Sequence, residues 1–242
     1  DPVFRLAERA LSLMTPSRQE KNEQSVVISA GPVRLQGTLG LPPKPRGIVL
    51  FAHGSGSGRF SPRNMFVART LREGTLATLL IDLLEEDEAE DRRKVFDIDL
   101  LADRLLAATE WLAHREETAG LRLGYFGAST GAGAALQAAA RSPASVGAVV
   151  SRGGRPDLAA SYLPDVIAPT LLIVGGRDFP VIEMNQEALA LLTCPKELVI
   201  VPGATHLFEE RGTLEQVADL ALRWFLRHLP RWQASHFHED LR

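Results

Sequence analysis

Gly127-Ala128-Ser129-Thr130-Gly131 carries the clearest chemical signal in the chain. A serine with glycines two positions away on either side, G-x-S-x-G, suits a strand that turns abruptly into a helix at the serine. The run Leu121-Arg122-Leu123-Gly124-Tyr125-Phe126 ahead of it has strand character, and the Ala-rich stretch from Ala132 to Arg141 behind it favours a helix. Such a turn forces the serine into an unfavourable backbone conformation, so its neighbours must lack bulk. It lifts the Ser129 hydroxyl above the sheet and sets the positive end of the next helix beneath it. The chemistry this implies is nucleophilic attack by a hydroxyl.

A serine hydroxyl is a poor nucleophile at neutral pH and needs a general base that a carboxylate orients. After the apolar run Leu171-Leu172-Ile173-Val174 comes Gly175-Gly176-Arg177-Asp178, which places Asp178 just past a strand's end. After Leu198-Val199-Ile200-Val201 comes Pro202-Gly203-Ala204-Thr205-His206, with His206 in the corresponding loop. Asp178 is therefore the expected acid and His206 the expected base. Asp157 is a competing carboxylate, but its position suits a helix cap ahead of Leu158. A tetrahedral intermediate also needs donors for its oxyanion. The N–H of Thr130 is one, and the loop His53-Gly54-Ser55-Gly56-Ser57-Gly58 supplies the other, with Ser55 the best placed. A phosphate-cradling reading of that loop fails for want of G-K-[ST]; Arg59 follows instead.

These residues need a scaffold, and the hydrophobic pattern supplies one. Apolar runs at Gly47–Ala52, Leu76–Ile81, Leu121–Phe126, Val146–Val150, Thr170–Val174 and Glu197–Val201 alternate with helical stretches at Asn64–Glu73, Asp99–Arg115, Ala132–Arg141, Glu183–Leu192 and Leu214–His228. That alternation predicts an α/β fold, a mainly parallel twisted sheet of about eight strands with helices on both faces. Ser25–Ser29 and Val33–Leu39, joined through Gly31-Pro32, read as a leading hairpin that adds antiparallel edge strands. One domain is expected over residues 1–242. Residues 1–24 form a helical extension, with Val3, Leu6, Ala10, Leu13 and Met14 at helical spacing, and residues 230–242 form a tail. The charged run from Glu85 to Arg93 reads as a solvated loop.

Composition narrows the function further. With 242 residues and a formal charge of -3, the chain has no basic stripe, which argues against nucleic acid. No apolar run is long enough to span a bilayer, and no secretory leader is visible, so a cytoplasmic location is expected. The single cysteine, Cys194, rules out an internal disulfide framework and reads as a small buried residue. His236-Phe237-His238-Glu239 lies on a terminal tail, where a metal site is rarely built; no metal or cofactor is expected. Trp224, Phe225, Leu229 and Trp232 read as core residues or homodimer contacts.

With its motifs in this order, the chain resembles the α/β-hydrolase superfamily from about Ser25 to His228. His53-Gly54-Ser55-Gly56-Ser57, Gly127-Ala128-Ser129-Thr130-Gly131 and Gly203-Ala204-Thr205-His206-Leu207-Phe208 are similar to the dienelactone-hydrolase-like group. The resemblance implies a triad in the chain order Ser129, Asp178, His206. True dienelactone hydrolases use a cysteine where Ser129 stands, and a simpler ester suits the serine. Many superfamily members insert a lid between the sixth and seventh strands. Only Gly153–Ala168 lies there, too short for a cap domain, so the site should be open. Arg59, Arg63, Arg152 and Arg155 fall in loops at or near the expected rim and could hold an anionic ester. The expected function is a serine hydrolase that cleaves a small carboxylic ester through an acyl-enzyme. Thioester hydrolysis or acyl transfer on the same triad, and a catalytically silent binding module, are the alternatives.

Overall fold

Eight strands make one sheet: β1 (Glu23–Ala30), β2 (Val33–Gly40), β3 (Ile48–Ala52), β4 (Ala77–Ile81), β5 (Leu123–Ala128), β6 (Val146–Arg152), β7 (Thr170–Gly175) and β8 (Lys196–Val201). The computed structural model describes residues 23–229. The expected N-terminal helix, Trp232 and the His236–Glu239 run lie outside the described residues.

The strand order is β1-β2-β4-β3-β5-β6-β7-β8. From β4 to β8 every pairing is parallel, whereas β2 is antiparallel to both β1 and β4. The leading hairpin is antiparallel and lies at the edge of the sheet, as expected. β2 alone runs against the rest, because two reversals return β1 to the common direction, and β1 and β8 are the two edges of the sheet. The β1–β2 register runs from Glu23↔Gly40 to Ala30↔Val33.

Burial explains why the central strands lack polar alternation. Every residue of β3, β4, β5 and β7 is buried, as a sheet covered on both faces requires. On one face Leu50, Tyr125 and Leu172 meet α4 (Ile98–His114), α5 (Thr130–Arg141) and α6 (Phe179–Leu191). On the other, Phe51, Phe126 and Ile173 meet α1 (Pro62–Glu73) and α7 (Thr213–His228). Trp224, Phe225 and Leu229 are buried in this second core, so they serve packing and not a dimer contact. Cys194 is buried and unbridged, and burial raises its thiol pKa.

α1 starts where its caps dictate: Ser61 accepts from the Asn64 N–H, and Pro62 occupies the first turn. Between β6 and β7 there is only a 310 segment, Pro156–Asp165, and no cap domain among the described residues. The Glu85–Arg93 run departs from expectation. It forms two short helical turns, α2 (Glu86–Glu90) and α3 (Arg92–Val95), and Glu88 is buried. Arg104 of α4 and Lys94 each donate to Glu88 Oε1 at 3.1 Å, and Arg104 also donates to the Ala30 carbonyl at 3.0 Å. Burial alone would raise the Glu88 pKa, but the Glu85 N–H, Lys94 and Arg104 hold it below the usual value. Arg104, brought in from α4, and the neighbouring Lys94 make this burial possible.

Candidate active site

The strand order reverses direction around β3, so the carboxyl ends of β3 and β5 lie side by side where a ligand crevice opens in such sheets. Ser129 stands there, between the end of β5 and the start of α5, with φ 51° and ψ -123°. A non-glycine residue so placed carries strain of about 1–3 kcal/mol, and the surroundings must hold it. The Ser129 N–H donates to the Arg152 carbonyl at 3.3 Å, and its own carbonyl accepts from the N–H groups of Ala132 and Arg155, both at 3.0 Å. The two glycines have a steric cause. A Cβ on Gly127 would sit 2.4 Å from Ala132 Cα, and one on Gly131 would sit 2.3 Å from the Ala52 carbonyl oxygen.

Asp178 immediately precedes α6, the position of a helix cap, yet its carboxylate makes no cap bond. It accepts instead from His206 Nδ1 at 2.6 Å. With the proton on Nδ1, the His206 Nε2 lone pair is left free to act as a base. The two loops are tied together: Gly176 N–H donates to the Val201 carbonyl and Arg177 N–H to the Ala204 carbonyl, both at 2.9 Å. Thr205 N–H is held by Glu210 at 3.0 Å. Asp157, the competing carboxylate, is occupied by Arg155 at 2.8 and 2.9 Å.

His206 and Ser129 flank the end of β6. A Cβ on Gly153 would lie 3.4 Å from His206 Nδ1, and the preceding Arg152 carbonyl receives the Ser129 N–H. Among the described residues no hydrogen bond yet closes from the Ser129 hydroxyl to the imidazole, so only half of the expected double contact is made. Catalytic hydrogen bonds are commonly loose in free enzymes and tighten when substrate is bound.

The β3–α1 loop turns back on itself at Gly54, whose carbonyl accepts from Ser57 N–H at 3.2 Å and leaves Ser55 exposed. Thr130 opens α5, so its N–H has no partner within the helix. His53 had no assigned role in the sequence. Its Nε2 accepts from Leu83 N–H at 3.0 Å, which puts the proton on Nδ1, 2.9 Å from the Gly54 carbonyl. It is a neutral brace between the loop and the end of β4; burial lowers its pKa against the Gly54 carbonyl and Asp82.

Beside this loop and Thr130 lies a cavity of about 320 Å³ whose apolar wall includes Leu84, Ala89, Val95 and Leu101. The charged segment read as a solvated loop thus forms one side of the candidate site. The apolar residues within and beside it, Leu84, Ala89 and Val95, were the available signal.

The four arginines separate. Arg59 is paired with Asp82 and Arg155 with Asp157, so neither offers a free guanidinium at the rim. Arg63 lies on the first turn of α1, and Arg152 is the last residue of β6, so these two are not in loops. Arg63 has only a loose contact with the exposed Glu209, at 3.8 Å. Arg152 is 7% exposed, and burial followed by repulsion from Arg63 pushes its pKa down to about 10. Among the described residues no cluster of three or more metal-ligating side chains occurs, and no helix is long and apolar enough to cross a membrane.

Residues 35–227 match the family model described as the dienelactone hydrolase family. A crystal structure of a dienelactone hydrolase from Anabaena variabilis is 59% identical, with a TM-score of 0.84 over 86% of this chain and 98% of that one. The esterase domain of a Rhodothermus marinus protein shares the fold, with a TM-score of 0.70 at 20% identity over 85% of this chain and 98% of that one. A Mycobacterium tuberculosis protein named as a phosphoribosyl transferase is 60% identical over 207 residues, which are 86% of this chain and 47% of that protein. The chain therefore spans about half the length of the curated relatives it matches.

Proposed function

We propose that this chain, which belongs to the dienelactone hydrolase family, is a hydrolase that cleaves a carboxylic ester through an acyl-enzyme on Ser129. The observation that carries this reading is the 2.6 Å bond from His206 Nδ1 to Asp178, on the same rim as a serine held at φ 51°. His206 Nε2 takes the Ser129 proton as the hydroxyl attacks the ester carbonyl carbon. The oxyanion that forms is met by the N–H groups of Thr130 and Ser55, aided by the positive end of α5. The alkoxide leaves with the proton from His206. Water, deprotonated by the same imidazole, then attacks the acyl carbon, and collapse of the second tetrahedral intermediate returns the proton to Ser129. The 320 Å³ cavity is small enough to favour a short acyl group against Leu84, Val95 and Leu101.

The transferase name belongs to relatives of about twice the matched length, and no step of phosphoribosyl transfer is derived from the residues described. A fluorophosphonate probe followed by a panel of acyl esters and thioesters of graded length tests the reading. Labelling confined to Ser129, with turnover of short esters, supports it. Faster thioester than ester turnover would move the substrate class, and a serine that takes no label on a folded protein would refute the mechanism.

A further inference from the structure

Arg152 is a buried cation with nothing to neutralise it. Its Nε is sealed from solvent without a partner, and the residue as a whole is only 7% exposed. A guanidinium nitrogen in that condition is costly, because burial removes its hydration and returns no bond. A second cation makes the position worse, since Arg63 lies close enough to repel it and has its own Nε buried without a partner. The start of α1 adds the positive end of a helix, whose first turn carries no acidic residue. Natural folds rarely tolerate such a concentration of positive charge, with only the loose Arg63–Glu209 contact to offset it, unless a ligand completes it.

The location makes that ligand part of the substrate. Arg152 is in register with Ala128, and its carbonyl holds the Ser129 N–H, so its backbone lies one strand away from the nucleophile. Arg63 approaches from α1 and contacts Glu209 in the loop that carries His206. One planar guanidinium satisfies the two oxygens of a carboxylate. Two guanidiniums from different elements, with a helix end between strand and loop, match a third oxygen and a second negative charge.

We propose that Arg152 and Arg63 form a phosphate-binding subsite, and that the ester this enzyme cleaves carries a phosphate monoester group. The assignment of this group to the substrate rests on the ester-hydrolase reading, but the subsite can be tested without turnover. Inorganic phosphate and succinate are titrated against folded Ser129→Ala protein, with binding read by calorimetry and by the shift in Tm. Phosphate should bind and raise the Tm, with succinate at least tenfold weaker. Arg152→Gln and Arg63→Gln should each weaken phosphate on the order of tenfold or more. Arg63 is partly exposed, so its variant remains informative should Arg152→Gln fold poorly. On the active protein, kcat/KM is compared for two esters that differ only in a phosphate or a hydroxyl remote from the acyl bond. Their ratio should favour the phosphorylated ester and fall at least tenfold in Arg63→Gln. Phosphate affinity that neither arginine alters, or succinate binding as tightly as phosphate, would overturn the proposal. Arginine-dependent phosphate binding without turnover of any ester would sustain the subsite and refute the hydrolytic mechanism instead.

Discussion

Replacing Gly131 with alanine separates two opposed effects at the elbow. Gly131 is the second residue of α5, where alanine's helix propensity alone should stabilise the protein by about 1 kcal/mol. The new Cβ, however, would lie 2.3 Å from the Ala52 carbonyl oxygen and 2.4 Å from that of His53. Ordinary carbon contacts need roughly 3.5–4.0 Å, and neither obstacle is a flexible side chain. Overpacking against backbone costs about 1–3 kcal/mol, which outweighs the propensity gain. The strain has one outlet, displacement of residues 52–55, and that segment carries the Ser55 N–H proposed as an oxyanion donor. Losing one oxyanion donor lowers kcat by about 10²–10³-fold. Gly131→Ala should therefore lose up to about 2 kcal/mol in urea unfolding and about 10²-fold in kcat on a short ester. Gly120→Ala is the control, because a Cβ there meets nothing within 4 Å. A Gly131→Ala protein with the stability and kcat of the wild type would refute the steric account of the elbow.

Other outcomes follow from the same geometry. Ser129→Ala should reduce ester turnover on the order of 10⁴-fold or more while urea unfolding shows a folded protein, and His206→Ala should cost about as much because the groups act as a unit; stopped assays with a chromogenic ester check both. Asp178→Asn should keep the fold and lose turnover by about 10⁴-fold, since an amide can fix the wrong imidazole tautomer; unchanged turnover would remove Asp178 from the mechanism. Glu88→Gln strands the buried Arg104 charge and should cost about 3 kcal/mol in urea unfolding, whereas a loss below ~0.5 kcal/mol would show the pair to be incidental. His53 has its pKa lowered by burial, so the unfolded chain binds the proton more readily than the folded one. Its contribution to stability is full above the unfolded value of about 6.5 and is lost as pH falls through the lower folded value. The urea midpoint of the wild type should drop over that window more steeply than that of His53→Gln, and parallel profiles would exclude the histidine as the cause.

What could be read directly from the chain was whatever short segments encode by themselves. Gly127 and Gly131 mark the elbow because the strain and the close approach lie within a few residues of Ser129. Asp178 and His206 declare themselves because each follows a run of apolar β-formers that ends in glycine or proline-glycine. The alternation of buried strands with helices was legible for the same reason, and it yielded the sheet and both helical layers. Tertiary structure alone decided the questions of partnership. Nothing near Arg59 or Arg155 in the pattern reveals that Asp82 and Asp157 have taken their charges, nor that Arg152 is left without a carboxylate. The Glu85–Arg93 run looked wet because its own charges repel. Arg104, contributed by α4, buries Glu88 and brings Leu84, Ala89 and Val95 against the candidate site. Local backbone preference is written in adjacent residues, whereas the pairing of charges is settled only when elements far apart in the chain compete for the same neighbour.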